Sequence, residues 1–228
     1  MFVNGAKIML IQEFLAQHRS DIEPFEYEFI RKHADRINNH NFIYYTFVAR
    51  EIFDKLGFVE DEENLYHRFF EFIKELYDIN GMTILEVGGG VYPTLAERIC
   101  TQAGTVTVYD PRLTKGLEDT ANLKLVRKNF NKKMNLDKYD LVVSLMPCKG
   151  AEAVLDACVE QDKDFIVGLC EGGPHGDCFD FYEDEEEWIH SMITYTESRL
   201  RRKGTGKLLK KTFDNCGYPY PVIYNSRK

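Results

Sequence analysis

The stretch Met82-Thr-Ile-Leu-Glu-Val-Gly-Gly-Gly-Val-Tyr-Pro-Thr94 decides how the rest of the chain is interpreted. Its apolar run, residues 84–87, is typical of a strand buried in a parallel sheet, and three glycines end that run at once. A strand that stops at glycines and turns into a helix presents backbone N–H groups to a ligand. Glu86 adds a carboxylate that can accept hydrogen bonds from the hydroxyl or amino groups of a ligand.

The helix after the glycines has two start signals. Pro93 suits the first position of a helix, and Thr94 with Glu97 has the spacing of a capping box. Together they predict a helix over residues 94–102.

The chain has 228 residues and a formal net charge of -8. This length allows one domain, or one domain with a smaller cap. The negative charge argues against a protein that mainly grips the nucleic acid backbone. No apolar run approaches the roughly 18 residues of a membrane-spanning helix, and Gln12 and Glu13 interrupt the first apolar segment, unlike a secretory signal. We therefore expect a cytoplasmic protein whose six cysteines are reduced thiols.

Residues 1–80 have helix-like spacing of apolar side chains and hold 16 of the chain's 30 aromatic residues. We predict a helical cap domain here, built around an aromatic core. Some of the rings could also cover a substrate pocket or form the contact of a homodimer. From residue 81 onward short strands alternate with helices, which is typical of a parallel sheet with covered faces. Residues 81–228 are the predicted ligand-binding domain.

Seven strands are predicted in this second domain. The first five are parallel, and after a long helix over residues 183–203 two final strands form a hairpin. The predicted fold class is α/β, with a mostly parallel seven-stranded sheet, an antiparallel C-terminal hairpin and a preceding N-terminal helical domain. The predicted strands are residues 84–87, 105–109, 123–126, 141–145, 165–169, 204–213 and 221–224.

The glycines and Asp110, twenty residues after Gly90, fit two classes of ligand. One is a nicotinamide or flavin dinucleotide, whose fingerprint has a third glycine where this chain has Pro93. The other is S-adenosylmethionine (SAM). A phosphate-binding P-loop is excluded, because no Gly-Lys-Ser/Thr sequence follows the glycines.

With the C-terminal hairpin, residues 82 to about 172 resemble the class I SAM-dependent methyltransferases. The family's first motif is an acidic residue followed by Gly-x-Gly at the end of the first strand, and it matches Glu86, Gly88 and Gly90. The acidic residue at the end of the family's second strand matches Asp110, and Tyr92 stands where a third glycine is common. The resemblance implies a Rossmann-like fold, SAM as the cofactor and methyl transfer as the reaction.

The resemblance also implies which residues bind the cofactor. Asp110 would hold the ribose hydroxyls, the segment after strand three would form the adenine pocket, and the end of strand four would lie beside the methyl donor. SAM has no phosphate but carries hydroxyl and ammonium groups, so carboxylates such as Glu86 suit it. The predicted cofactor-binding residues are Glu86, Gly88, Gly89, Gly90, Tyr92, Asp110, Pro111, Asn129, Phe130, Leu145, Met146 and Pro147.

The candidates for catalysis follow strands four and five. Cys148 is a candidate nucleophile, and Glu171 and His175 are candidates for a general base at the mouth of the site. Together with His175, the thiols of Cys148, Cys170 and Cys178 would suit zinc. The spacing Cys-x4-His-x2-Cys is not that of a standard zinc knuckle, however, and no metal site is predicted.

The expected methyl acceptor is a small molecule. The end of strand four lacks the Asn/Asp-Pro-Pro-aromatic sequence that is typical of amino methylation of bases. The basic cluster near the last helix has little aromatic interleaving, so RNA is not favoured. Two alternatives stay open: a dinucleotide-dependent oxidoreductase, and a degenerate protein that binds SAM without transferring a methyl group.

Overall fold

The structure is a computed structural model in which the chain divides into two compact units, Met1–Glu60 and Asp61–Lys228. It describes residues 15–24, 27–28, 31, 65–90, 93–113, 116–147, 150–169, 185–215 and 218–226. In the first unit residues 15–17 are helical, and the side chains of Leu15 and Ile22 are buried. Most of the predicted helical cap lies outside the described residues. No helix in the described part of the chain is both long and apolar enough to cross a membrane.

The second unit alternates strands with helices, as the sequence predicts. In chain order its elements are α1 (Leu65–Leu76), β1 (Thr83–Val87), α2 (Thr94–Ile99), β2 (Thr105–Tyr109), β3 (Leu123–Val126), β4 (Leu141–Leu145), α3 (Ala151–Glu160), β5 (Asp164–Gly168), α4 (Glu185–Lys203), β6 (Lys207–Asn215) and β7 (Tyr218–Ser226).

The seven strands form one sheet in the order β3-β2-β1-β4-β5-β7-β6. Strands β1 to β5 are parallel, and β7 is antiparallel to both β5 and β6. This arrangement confirms the predicted fold class of the second domain. The chain moves outward from β1 to β3 and then returns to β4 on the other side of β1, so the strand order reverses between β1 and β4.

Burial differs between the centre of the sheet and its β3 edge. All five residues of β4 are buried, as expected for a parallel strand covered on both faces. In β2 and β3 the polar residues Thr105 and Lys124 are exposed. They line a groove of about 420 Å³ together with Thr83 and Thr107. The described residues of the two loops that flank β3 form no helix.

Helices α3 and α4 pack on the face of the sheet that carries Leu85 and Val167. Arg199 of α4 joins the two helices by ion pairs with Asp156 and, at 3.1 Å, with Glu160 of α3. The buried side chains that this layer contributes include Val154, Leu155, Cys158, Trp188, Met192 and Leu200.

Strand β7 is longer than the predicted residues 221–224, although it contains Pro219 and Pro221. Proline cannot donate a backbone hydrogen bond, so it normally interrupts a central strand. Here β5 pairs only with residues 222–224 of β7. Pro219 and Pro221 therefore have strand partners only in β6. On the other side, Leu169, which follows β5, donates its N–H to the Pro221 carbonyl at 2.8 Å, a bond in which proline needs only to accept.

Helix α1 packs on this hairpin through aromatic side chains. The Phe72 ring lies 5.4 Å from the Phe213 ring and 5.3 Å from the Tyr224 ring, both edge to face. Lys211 Nζ lies 4.2 Å from the Phe72 ring centroid. The domain boundary predicted at residue 80 follows α1, whereas the compact unit that contains the sheet begins at Asp61 and includes this helix.

We expect Phe72→Ala to lower the free energy of unfolding by about 3–5 kcal/mol, because it leaves a cavity between α1 and the hairpin. Urea unfolding of the two proteins measures this difference. Leu209→Ala is the matched control, since Leu209 is on the same hairpin but is 38% exposed. Equal losses in the two variants would contradict the packing described here.

Candidate active site

The carboxyl ends of β1 and β4 flank the point where the strand order reverses. In parallel sheets ligands bind in the crevice at such a point. The pairing of Val87 with Tyr109 brings the end of β2 to the same place. Segments that follow three neighbouring strands can therefore contribute to one site.

The glycines after β1 are required by backbone conformation and by close packing. Gly88 has φ +83° and Gly90 has φ +77°, a region that residues with side chains rarely adopt. Gly88 N–H extends the β-ladder by donating to the Tyr109 carbonyl at 2.9 Å. A Cβ at Gly88 would lie 2.9 Å from Pro147 Cα, which is too close.

Gly89 is restricted by its neighbours rather than by its backbone angle. A Cβ at this position would lie 2.3 Å from Val108 Cγ1 and 3.7 Å from the carboxyl group of Glu86. Glu86 is only 2% exposed, so its carboxyl group lies close beside the glycine backbone. The glycine turn, residues 88–90, thus has two positions packed so closely against Pro147 and Val108 that only glycine fits.

Asp110 connects the end of β2 to the glycine turn. Its side chain is 3% exposed, and its Oδ2 accepts a hydrogen bond from Gly90 N–H at 3.0 Å. Arg112 donates to the same carboxylate through its backbone N–H and through its guanidinium. Both predicted acidic residues are therefore buried next to the glycines.

The segment after β4 closes one side of the turn. The Ser144 hydroxyl donates to the Val87 carbonyl, which ties β4 to the end of β1. Met146 has a left-handed backbone, with φ +53°, and its N–H donates to the Gly168 carbonyl of β5 at 2.8 Å. This bend places Pro147 against Gly88.

The segment after β3 approaches the end of β2 through an aromatic contact. The Phe130 ring meets the Tyr109 ring edge to face, with centroids 6.3 Å apart. Asn129 and Pro111 are exposed. An adenine pocket at this end of the sheet would have an aromatic side wall.

The structure thus brings together most of the predicted cofactor-binding residues that it describes: Glu86, Gly88, Gly89, Gly90, Asp110 and Pro147. Leu145 and Met146 are buried at the end of β4. Tyr92, Cys148, Glu171, His175, Cys170 and Cys178 lie outside the described residues, so their roles stay predictions. Within the described ranges no group of three or more His, Cys, Asp or Glu residues could hold a metal ion.

The predicted capping box is wrong, since helix α2 has Pro93 as its N-cap residue and no side-chain capping bond. Thr94 is therefore the first residue inside the helix. Its hydroxyl is buried and makes no hydrogen bond within the described part of the chain. A buried hydroxyl without a partner is uncommon, so Thr94 joins the candidates for cofactor contact.

Arg112 was also missed by sequence reasoning. The sequence contains a signal for it, because an aspartate followed by proline favours a turn, and a turn can return the side chain two residues later to the aspartate. Here Arg112 returns to Asp110 in this way.

Burial raises the pKa of the Cys100 thiol, which follows α2, to about 11, and the charges of Glu86 and Glu97 raise it further in the same direction. We expect alkylation of Cys100 by iodoacetamide to be slow at pH 8 and to rise about tenfold per pH unit toward pH 11, because only the thiolate reacts. Burial raises the pKa of Cys158 as well, so this thiol should stay unmodified until the protein unfolds. Peptide mass spectrometry measures both rates, and rapid modification of Cys100 at pH 8 would contradict the expectation.

The same pKa shift predicts how Cys100 affects stability. Its folded-state pKa lies above the ordinary value of 9.0, so ionisation favours the unfolded chain. The contribution of the neutral thiol to stability is complete below about pH 9 and is lost as the pH rises through about 11.

Comparison with solved structures finds this fold in SAM-dependent methyltransferases. Magnesium protoporphyrin IX methyltransferase (ChlM) from Synechocystis PCC 6803 with bound SAM matches with a TM-score of 0.50 and 12% sequence identity, over 98% of this chain and 100% of that chain. The same enzyme with bound SAH matches with a TM-score of 0.48 and 11% identity, over 79% of this chain and 100% of that chain. At 12% identity the likeness to the SAM-bound structure shows the fold alone.

No protein-family model matches the sequence, and a search of curated proteins finds no match either.

Proposed function

We propose that this protein is a SAM-dependent methyltransferase that acts on a small-molecule acceptor. The observation that carries the proposal is the pair of buried carboxylates, Glu86 and Asp110, on either side of a glycine turn at the switch point of the sheet. One protein with the same fold carries SAM in its crystal structure.

The residues present fit this cofactor better than they fit a dinucleotide. Gly88 and Gly89 pack directly against Pro147 and Val108, which leaves no room for a side chain at either position. Pro93 stands where the dinucleotide fingerprint has its third glycine, which argues against a dinucleotide as the ligand. The described site offers two carboxylates near the turn, which suit hydroxyl and ammonium groups rather than phosphates.

Each group of the site has a role in this proposal. Asp110 accepts hydrogen bonds from the ribose hydroxyls, and Glu86 interacts with the amino-acid end of the cofactor. The Tyr109–Phe130 pair borders the adenine ring, and the Leu145–Pro147 segment borders the methyl donor. SAM, when bound, supplies a methyl group on a positively charged sulfur.

The protein's own contribution to the reaction is mainly alignment. Holding two reactants in line can lower a barrier by about 7–11 kcal/mol. If the acceptor is neutral, a general base also helps, and Glu171 and His175 are our candidates because they follow β5. The end of β5 is close to the switch point, since Met146 N–H bonds to Gly168.

Turnover separates this proposal from a protein that only binds SAM. The experiment incubates the purified protein with methyl-labelled SAM and a fractionated small-molecule extract, and follows the formation of S-adenosylhomocysteine (SAH). We expect one or more fractions to release SAH at a rate that Asp110→Ala abolishes. Binding of SAM without turnover in any small-molecule fraction, but with turnover on added RNA, would contradict the small-molecule acceptor.

A further inference from the structure

The carboxylate of Asp110 already has four hydrogen-bond donors around it. Oδ1 accepts from Arg112 N–H at 2.7 Å and from Arg112 Nε at 3.2 Å. Oδ2 accepts from Gly90 N–H at 3.0 Å and from Arg112 Nη2 at 3.1 Å. An ionised carboxylate has about four acceptor positions, so all of those on Asp110 are filled.

A ribose diol that binds to Asp110 needs two of these positions. The two backbone donors are held by the turn after β2 and by the glycine turn, and neither can leave without moving the main chain. The guanidinium is different, because it sits on a flexible side chain that is 43% exposed. It is the donor that can leave Asp110 without moving the main chain.

We infer that the Arg112 guanidinium occupies the ribose position of the site and is displaced when the cofactor binds. This inference rests on the proposed function. In the ligand-free protein Arg112 neutralises a buried charge and holds Asp110 in the orientation that bonds to Gly90. In the bound protein the ribose hydroxyls replace Nε and Nη2, and the guanidinium moves into solvent. Arg112 thereby sets the affinity for the cofactor, since every binding event must break its ion pair.

A competitor has an effect on affinity opposite to that of a supporting residue. Removing a competing side chain strengthens ligand binding, because the ligand no longer has to break the ion pair. Removing a supporting side chain weakens binding. The sign of the change in affinity therefore separates the two roles of Arg112 without knowledge of the methyl acceptor.

The test is isothermal titration of SAH into the wild-type protein, Arg112→Ala and Arg112→Lys. We expect Arg112→Ala to bind SAH about 5-fold or more tightly than the wild type, and Arg112→Lys to fall between them because lysine keeps the charge but not the planar fork. Arg201→Ala is the matched control: it removes the same charge from an exposed residue of α4 and should leave the affinity unchanged. Thermal unfolding confirms that each variant is folded.

Salt gives a second readout, and its main measurement uses the wild-type protein. SAH has no net charge, while the Arg112–Asp110 pair is partly exposed and is weakened by screening. Raising sodium chloride from about 50 mM to about 500 mM should therefore tighten SAH binding to the wild type and leave Arg112→Ala unaffected.

The outcomes distinguish failure of the inference from failure of the proposed function. Weaker or unchanged SAH binding by Arg112→Ala, with clear binding by the wild type, overturns the competition. Absence of SAH binding by the wild type and by every variant overturns the proposed cofactor itself.

Discussion

Gly89→Ala is expected to weaken SAH binding by about 10²-fold, because it displaces by about 1 Å the turn that holds the cofactor in the proposed function. The added methyl group would meet Val108 Cγ1 at 2.3 Å. Val108 is fully buried in β2, so it cannot turn away at low cost. Overpacking of this kind also lowers the free energy of unfolding by about 1–3 kcal/mol.

Two further variants make the Gly89 prediction specific. Gly116→Ala is the control, since a Cβ at Gly116 meets nothing within 4 Å and should change neither affinity nor stability. In the double variant Gly89→Ala/Val108→Ala the Cγ1 methyl group of Val108 that causes the clash is absent, so part of the lost affinity for SAH should return. If Gly89→Ala behaves like Gly116→Ala in calorimetry, the turn does not contact the ligand.

Asp110→Asn is expected to lower the affinity for SAH by about 10²-fold. Hydrogen bonds to a charged group contribute about 1.5–3 kcal/mol each, and the amide offers only one acceptor oxygen instead of two. Part of the loss is offset because the ion pair with Arg112 no longer has to be broken. Titration calorimetry with SAH measures the remaining difference.

The control for Asp110→Asn is Asp156→Asn, which also removes an aspartate that is paired with an arginine. Asp156 lies between α3 and α4, so this change should reduce stability without changing the affinity for SAH. An Asp110→Asn variant that binds SAH as tightly as the wild type would show that this carboxylate does not hold the ribose.

The parallel strands could be predicted closely because each one is a short, mostly apolar run. The runs of β1, β2 and β3 end at Gly88, Asp110 and Arg127, and that of β4 ends just before Pro147. β2, β3 and β4 have the predicted bounds. The convergence of Glu86 and Asp110 was predictable for a related reason: the carboxyl ends of parallel strands share one edge of a sheet. Knowing the ends of the strands was therefore enough to locate these two residues.

Other features depend on tertiary contacts that the sequence pattern does not contain. Met146 adopts a left-handed backbone because its N–H reaches Gly168 of the neighbouring strand, and nothing in a methionine predicts this. The capping box at Thr94 failed because Pro93 occupies the N-cap position. The extension of β7 across two prolines depends on how far β5 reaches along it.

Titration of the wild-type protein with SAH and, separately, with NADH tests the cofactor assignment most directly. Two buried carboxylates beside the glycine turn, with Pro93 in place of the third glycine of the dinucleotide fingerprint, predict one SAH bound per chain and no measurable heat with NADH. Binding of NADH in the absence of any binding of SAH would contradict the assignment.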